Sequence, residues 1–309
     1  MKKISVVSGC YNEEANLEEL VGRVLAVAAK YPTYEWEHII IDNCSTDRSA
    51  DVLRSLAGCD RRIKVIFNVR NFGHIRSPYH AMLQAHGDAV IYLASDLQDP
   101  PELIEQFIPK WEEGWKVVAA IKDHSEESSL FFLVRSAYYR LIALLAETEL
   151  LKNFTGFGLY DQAVIEHLRA FDDPYPYHRG QISELGYPVA RVAFTQPQRK
   201  RGVTKSNFFT LYDLAMLGFT NHSKVPLRLA TFLGFACALL SFLAGSVYLV
   251  LKLLFWREFP IGQAPVVVGL FFLGSVQLLF IGVLGEYIGA IYTKVSKRPL
   301  VVERERINF

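Results

Sequence analysis

Apolar positions in the first third of the chain fall into short runs separated by polar turns and amphipathic stretches. Residues 4–10 (ISVVSGC) form an apolar, β-branched run that predicts a strand, and helical spacing of apolar residues follows from Asn16 to Ala29. Residues 37–43 (EHIIIDN) predict a second strand, and STDRSADVLRSL a helix with Ser45 or Thr46 as its cap. Residues 63–69 predict the third strand, followed by a helix over 77–86. Residues 89–95 predict the fourth, followed by a helix over 101–113. Strands alternating with helices predict an α/β fold with a mostly parallel sheet, which binds ligands outside the carboxyl ends of its strands. All four runs end in polar residues: Asn12 and Glu13, Asp42 and Asn43, Asn68 to Asn71, Asp96 to Asp99. One polar strand end is a loop, whereas four ending alike predict a site.

Two later runs, 229–251 and 259–285, contain no charged residue. A helix rises ~1.5 Å per residue and a bilayer core is about 30 Å thick, so each run can span it. Lys224 and Arg228 precede the first run, and Lys294, Lys297, Arg298, Arg304 and Arg306 follow the second. The connection carries only Lys252 and Arg257 as basic residues. The positive-inside rule then predicts a multi-pass protein of the inner (plasma) membrane with both termini cytoplasmic. No secretory signal is expected, because MKKISVVSGCYNEE has too short an apolar run and no small-residue cleavage site. Residues 129–151, interrupted by Arg135 and Arg140, fit a buried helix or one lying at the membrane surface; residues 206–229 fit an interfacial helix. The expected organisation is a cytoplasmic domain over 1–205, an interfacial helix over 206–228, a two-helix anchor over 229–293 and a tail over 294–309 that adds a strand.

Composition narrows the picture further. Lys plus Arg is 33 against 32 for Asp plus Glu, a balance that gives no footprint for nucleic acid. The four cysteines have no metal-type spacing and are expected as free thiols. The chemistry concentrates in YLASDLQDPPE (residues 92–102), where a strand stops at two carboxylates, an amide and a double proline. Asp and Pro are ordinary turn and helix-start residues, but oxygen ligands at a strand's carboxyl end also suit a hard divalent cation.

The segments CYNEEANLEEL, IDNCSTD, RNFGH, SDLQDPPE, TGFGLYD, HRGQISELG, RKRGVTKSNF, KVPLRL and LGEYIGAIY with KRPL follow a known order and spacing. By these segments the chain resembles the membrane-anchored family 2 glycosyltransferases over nearly its whole length. It is most similar to the bactoprenol glucosyltransferases, relatives of the dolichyl-phosphate mannose synthases. The resemblance implies a GT-A fold, with Tyr11, Asn12 and Glu13 in a nucleotide pocket. It implies hydrogen bonds from Asp42 to the base or ribose, and Asp42 also suits a turn onto Ser45. Gly73 would let backbone approach the nucleotide closely. The family segment reads D-x-D-L-Q, and here Ala94 stands at the first Asp. That leaves Asp96 as the matched catalytic carboxylate and, with Gln98, the implied ligand of Mg²⁺ or Mn²⁺. Asp99 is expected as a turn residue before Pro100 and Pro101. Relatives often carry an Asp at what is Gly156 here, and Asp161 is not assigned as a base in its place. His178 and Arg179 match a segment near the acceptor side, with no role assigned.

The implied reaction is inverting transfer of one hexose, glucose from UDP-glucose, to a polyprenyl phosphate such as undecaprenyl phosphate at the cytoplasmic leaflet. Arg135, Arg199, Arg201 and Lys205 are the candidates for the acceptor phosphate. N-acetylglucosamine, or mannose from GDP-mannose, remains open as the sugar. A processive polysaccharide synthase and a catalytically degenerate membrane scaffold are the competing readings. Gly282, Gly285 and Gly289 would let spans pack closely in a homo-oligomer.

Overall fold

The structure is a computed structural model, and it describes residues 1–123, 151, 153–197, 225–255 and 263–309. The domain boundary expected at 205/206 lies outside these residues, as do Arg135, Arg140, Arg199, Arg201 and Lys205, whereas those expected at 228/229 and 293/294 fall within them, inside continuous helices.

One sheet of eight strands organises the described residues: β1 (Lys3–Cys10), β2 (Glu35–Asp42), β3 (Ile63–Asn68), β4 (Ala89–Tyr92), β5 (Val117–Lys122), β6 (Phe154–Asp161), β7 (Val189–Phe194) and β8 (Glu303–Ile307), in the order β7-β5-β6-β4-β1-β2-β3-β8. The four expected strands form its parallel centre, β4-β1-β2-β3. Only β6 and β8 run against the others. Helices α1 (Leu17–Lys30), α2 (Ser49–Cys59), α3 (Gly73–Leu83), α4 (Ile104–Glu112), α5 (Gln162–Ala170) and α6 (His178–Glu184) connect the strands. A 3₁₀ turn over Pro101–Leu103 leads into α4. Alternation along β1 divides the core between the sheet's faces. Ile4 and Val6 join Leu20, Val24, Phe107 and Phe157, while Val7 packs with Ile39, Tyr79 and Met82. Helix α1 turns Leu17, Leu20, Val21, Val24, Val27 and Ala28 inward, spacing that makes one apolar stripe.

Three expectations need correction. Neither Ser45 nor Thr46 caps α2, which starts at Ser49; both hydroxyls are engaged elsewhere, and the Asp47 carboxylate accepts the Ser49 N–H at 3.0 Å. Helix α3 starts at Gly73, four residues ahead of the expected 77, and carries Pro78 inside it. Strand β4 stops at Tyr92 rather than Ser95, because Asp99 Oδ2 accepts the Ala94 N–H at 3.1 Å and folds the chain into a loop.

Two further helices, α7 (Val225–Leu254) and α8 (Gln263–Val295), are long and apolar enough to cross a bilayer, and almost none of their apolar windows is buried within the protein. The tail beyond α8 returns to the sheet as β8, antiparallel to β3. Two bonds from Arg54 to Glu305 (2.7 and 2.6 Å) and two from Asn308 to the Ala57 and Ile63 carbonyls (2.8 Å each) fasten it there. It covers what would be an open edge, and the sheet begins again only a few residues after the second bilayer-length helix ends.

Close approach in β6 generates a stability prediction. A Cβ on Gly158 would lie 2.4 Å from the Val118 carbonyl oxygen, and a backbone atom in a paired strand has nowhere to go. Gly158→Ala should cost about 1–3 kcal/mol of stability, as overpacked core sites do, read as a lowered midpoint in chemical denaturation.

Candidate active site

Because β1 to β4 run parallel, their carboxyl ends lie side by side, and the loops leaving them enclose a cleft of about 510 Å³. Tyr11 and Glu13 come from the end of β1 and Asn43 from β2. Asn71, Gly73 and His74 come from the turn into α3, and Tyr92, Ala94 and Asp96 from β4. All four polar strand ends of the sequence therefore meet in one place.

Side-chain bonds between neighbouring loops hold the cleft's shape. The Asn12 N–H donates to Ser45 Oγ (2.9 Å), Asn12 Oδ1 accepts the Thr46 N–H (2.7 Å), and the Glu13 N–H donates to Ser49 Oγ (2.9 Å). Asn12, with φ of 56°, thus joins the first loop to the second rather than lining the cleft. Asp42 is buried behind the wall. Its carboxylate accepts the Ser45 N–H at 3.2 Å, so the turn onto Ser45 is present, and burial pushes the carboxyl above its ordinary range. On the opposite side, Ser95 Oγ donates to the Gly9 carbonyl at 2.8 Å.

Sequence reasoning missed the tie between the second and third loops. Asn43 Nδ2 donates to Asn71 Oδ1 (2.8 Å) and the Gly73 carbonyl (3.2 Å), while its Oδ1 accepts from Asn68 Nδ2 (3.1 Å) and the Phe72 N–H (2.9 Å). Asn68 also donates to Ser77 Oγ at 3.0 Å. The available signal is the recurrence of Asn at the ends of IDN and FNVRN, a residue type whose amide can donate and accept at once. Gly73 starts α3 at φ of 90° with open space where a Cβ would stand, so backbone borders the cleft there.

The loop after β4 presents the carboxylates. Asp96 is half-buried on the cleft wall, with Oδ1 accepting the Gln98 N–H at 3.1 Å; Leu97 between them holds φ of 61°. A leucine with positive φ is costly, and it sits at the one turn that sets the Asp96 carboxylate against the cleft. Gln98 is half-buried and is not among the residues that line the cleft. Asp99 is buried as a turn residue, and burial pushes its carboxyl up to about 6. Among the described residues, no three His, Cys, Asp or Glu side chains converge as metal ligands. Asp96 is the one Asp on the cleft wall, and a single carboxylate can serve a hard cation whose other ligands are phosphate oxygens and water.

Two other residues have settled roles. Asp161 ends β6 and caps α5, accepting from the Ala163 N–H (3.1 Å), Trp111 Nε1 (2.9 Å) and Lys116 Nζ (3.0 Å), so it takes no part in the cleft. Burial pushes the Cys10 thiol up to about 12, leaving it inert on the cleft wall. His178 and Arg179 line a smaller cavity of about 150 Å³ that shares His74, Pro78 and Tyr92 with the cleft.

Comparison with known proteins matches residues 5–169 to the family described as glycosyl transferase family 2. An SfII prophage-derived bactoprenol glucosyl transferase of Shigella flexneri is 33% identical over 298 residues, covering 96% of each chain. The bactoprenol glucosyl transferase of Shigella phage SfV is 33% identical over 306 residues, covering 98% of this chain and 99% of the relative. An uncharacterized glycosyltransferase of Synechocystis sp. is 34% identical over 299 residues, covering 96% of this chain and 93% of that one. Mannosyl-3-phosphoglycerate synthase from Rubrobacter xylanophilus superposes with a TM-score of 0.48 and 16% identity, over 70% of this chain and 71% of that structure. With more than half of its length matched to the family, and relatives aligned almost end to end, the chain belongs to glycosyl transferase family 2 and is a glycosyltransferase.

Proposed function

We propose that the enzyme transfers a single glucose from UDP-glucose to a polyprenyl phosphate, undecaprenyl phosphate, at the cytoplasmic face of a membrane, with inversion at the anomeric carbon. One observation carries this reading: Asp96 lines a cleft at the carboxyl ends of parallel strands, in a chain that also holds two bilayer-length helices. The near full-length similarity to relatives named bactoprenol glucosyl transferases supports it. Anchoring by α7 and α8, with both termini in the cytoplasm, would bring a donor from the cytosol to an acceptor whose tail lies in the bilayer. Packing of α8 through Gly282, Gly285 and Gly289, where an added Cβ meets nothing, would assemble copies of the chain.

In this reading Tyr11 and Glu13 border the nucleoside, with Asn12 and Asp42 holding their loops, and the Gly73 backbone faces the diphosphate. Asp96, backed by Gln98, would hold Mg²⁺ or Mn²⁺, whose charge offsets that of the departing nucleoside diphosphate. An acceptor phosphate oxygen bonds to the anomeric carbon as the carbon's bond to the diphosphate oxygen breaks. A phosphate monoester, with a second pKa near ~6, is largely dianionic at neutral pH and needs no general base. That agrees with Gly156 and with an Asp161 tied to Trp111 and Lys116. Arg135, Arg199, Arg201 and Lys205 are proposed to hold the acceptor phosphate.

The direct test offers purified protein in detergent a panel of radiolabelled UDP- and GDP-sugars with undecaprenyl phosphate. One donor, UDP-glucose, should label the organic phase with one sugar per lipid. Labelling should vanish with EDTA and fall about 10²-fold or more in Asp96→Asn, as for loss of one charge-stabilising group. A polymer would instead indicate a processive synthase. No transfer from any donor would indicate a scaffold, and full activity of Asp96→Asn in EDTA would refute the metal assignment.

The asparagine tie makes a separate prediction. Asn43→Ala takes the acceptor from the Phe72 N–H and one bond each from Asn68 and Asn71, which keep Ser77 Oγ and the Gly73 N–H; this should cost about 1–3 kcal/mol of stability and loosen the third loop. Calorimetry should find UDP binding weakened about tenfold. Unchanged UDP affinity would remove the network from the site.

A further inference from the structure

The small cavity beside the cleft contains two polar groups with nothing to bond. Tyr160 Oη donates its only proton to the Gly156 carbonyl at 2.6 Å, and His178 Nε2 stands 3.0 Å from Tyr160 Oη. Nε2 must therefore carry the ring proton and donate it, which leaves Nδ1 as a bare acceptor. Nδ1 is buried and has no hydrogen-bond partner among the described residues. The ring is fixed in place by the edges of Tyr79, Tyr92 and Tyr160, with centroids 6.1, 6.3 and 5.1 Å away. Its Cδ2 corner faces Gly156, so the Nδ1 edge is turned the other way. Burial, helped by the Arg179 charge, pushes the imidazole down to about 3, which favours the neutral ring near neutral pH. Next to it, the Arg179 guanidinium makes no hydrogen bond or ion pair among the described residues.

A buried acceptor without a partner costs stability unless a ligand or water supplies the donor. The cavity thus offers one acceptor and one set of donors, between the apolar walls of Pro78 and Tyr92. A phosphate dianion could only accept, so it would bond Arg179 and leave the His178 lone pair facing negative charge. A sugar hydroxyl both donates and accepts, and the C–H face of a hexose suits the apolar walls. Position agrees: the cavity joins the cleft at Tyr92, on the strand that leads to Asp96, where the sugar of a nucleotide sugar would lie beyond its diphosphate. We propose that this cavity receives the transferred hexose, that His178 Nδ1 reads one sugar hydroxyl by accepting its proton, and that Arg179 donates to a second. This rests on the nucleotide-sugar reading above and adds a specificity-determining residue to it.

Calorimetry without lipid acceptor tests it on the full-length protein in detergent with Mg²⁺. The titrants are UDP, UDP-glucose and UDP-glucose deoxygenated in turn at each hydroxyl. In the unaltered protein, one deoxygenation should weaken binding about tenfold, the worth of one buried hydrogen bond, and should do so equally between about pH 5.5 and 8. In His178→Leu that same deoxygenation should cost nothing more, while UDP itself binds as before. Tyr160→Phe keeps the imidazole but frees its tautomer, and should give a smaller loss at the same hydroxyl; it decides the matter if His178→Leu no longer binds UDP. If the deoxygenation profile is the same in all three proteins, His178 reads no hydroxyl, whatever the transfer assay shows. His74 also lines this cavity, so a deoxygenation penalty that falls with the titration of an imidazole in the unaltered protein and in His74→Gln alike would also overturn the neutral-acceptor role. If UDP binds but UDP-glucose gains nothing over it while another sugar transfers, glucose fails as the donor and the series is repeated on that sugar, with the same two outcomes. Absence of binding by any nucleotide sugar would refute the donor reading and this pocket together.

Discussion

Asn43 commits both ends of its amide to the loop that follows the next strand, and the form of the cleft depends on that commitment. Parallel strands deliver their carboxyl ends to one edge of the sheet, but the ladder bonds stop there and the loops lose their mutual support. Here each adjacent pair is retied by side chains. Asn12 joins the first loop to Ser45 and Thr46, Asn43 joins the second to Asn71 and Phe72, and Ser95 joins the fourth back to Gly9. Such bonds are each worth about 1 kcal/mol net, yet a buried amide left without its partners costs more, so the arrangement is cooperative.

The frame tolerates unfavourable backbone where the chemistry requires it. Leu97 and Asn12 both hold positive φ in loops that border the cleft, and Asp99 is a buried carboxyl whose oxygen closes the loop presenting Asp96. These features are paid for by the core on both faces of the sheet, where Val6, Ile91, Phe107 and Phe157 are fully buried on one side and Val7, Val90 and Tyr160 on the other. The tail strand β8 extends the same frame toward the end of α8. Arg54 and Asn308 hold it against β3, so the segment leaving α8 is part of the sheet that builds the cleft.

Much of this was legible in the sequence, because it depended on local pattern. Apolar runs ending in polar residues located β1 to β4, and uncharged runs located α7 and α8. Gly73 and Asp96 could be named from their segments. What was not legible depended on contacts between distant segments. Asn43 and Asn68 look like any polar strand ends until the fold brings Asn71 and Ser77 to them. Ser45 and Thr46 have the residue types of helix caps, but tertiary bonds to Asn12 outcompete that local role. His178 stands in a recognisable segment but without a legible role, since its tautomer follows from Tyr160, eighteen positions away in sequence, and its neutral form from burial.

The proposed role of the cleft at the ends of β1 to β4 is to hold the diphosphate of a nucleotide sugar through a cation on Asp96. Anomalous diffraction from crystals grown with UDP and Mn²⁺ addresses it directly. One strong anomalous peak is expected within coordination distance of an Asp96 oxygen and of the UDP phosphates, with the uridine lying between Tyr11 and the Asn43 loop. A peak bound elsewhere, or UDP held in the cleft with no metal at Asp96, would contradict it.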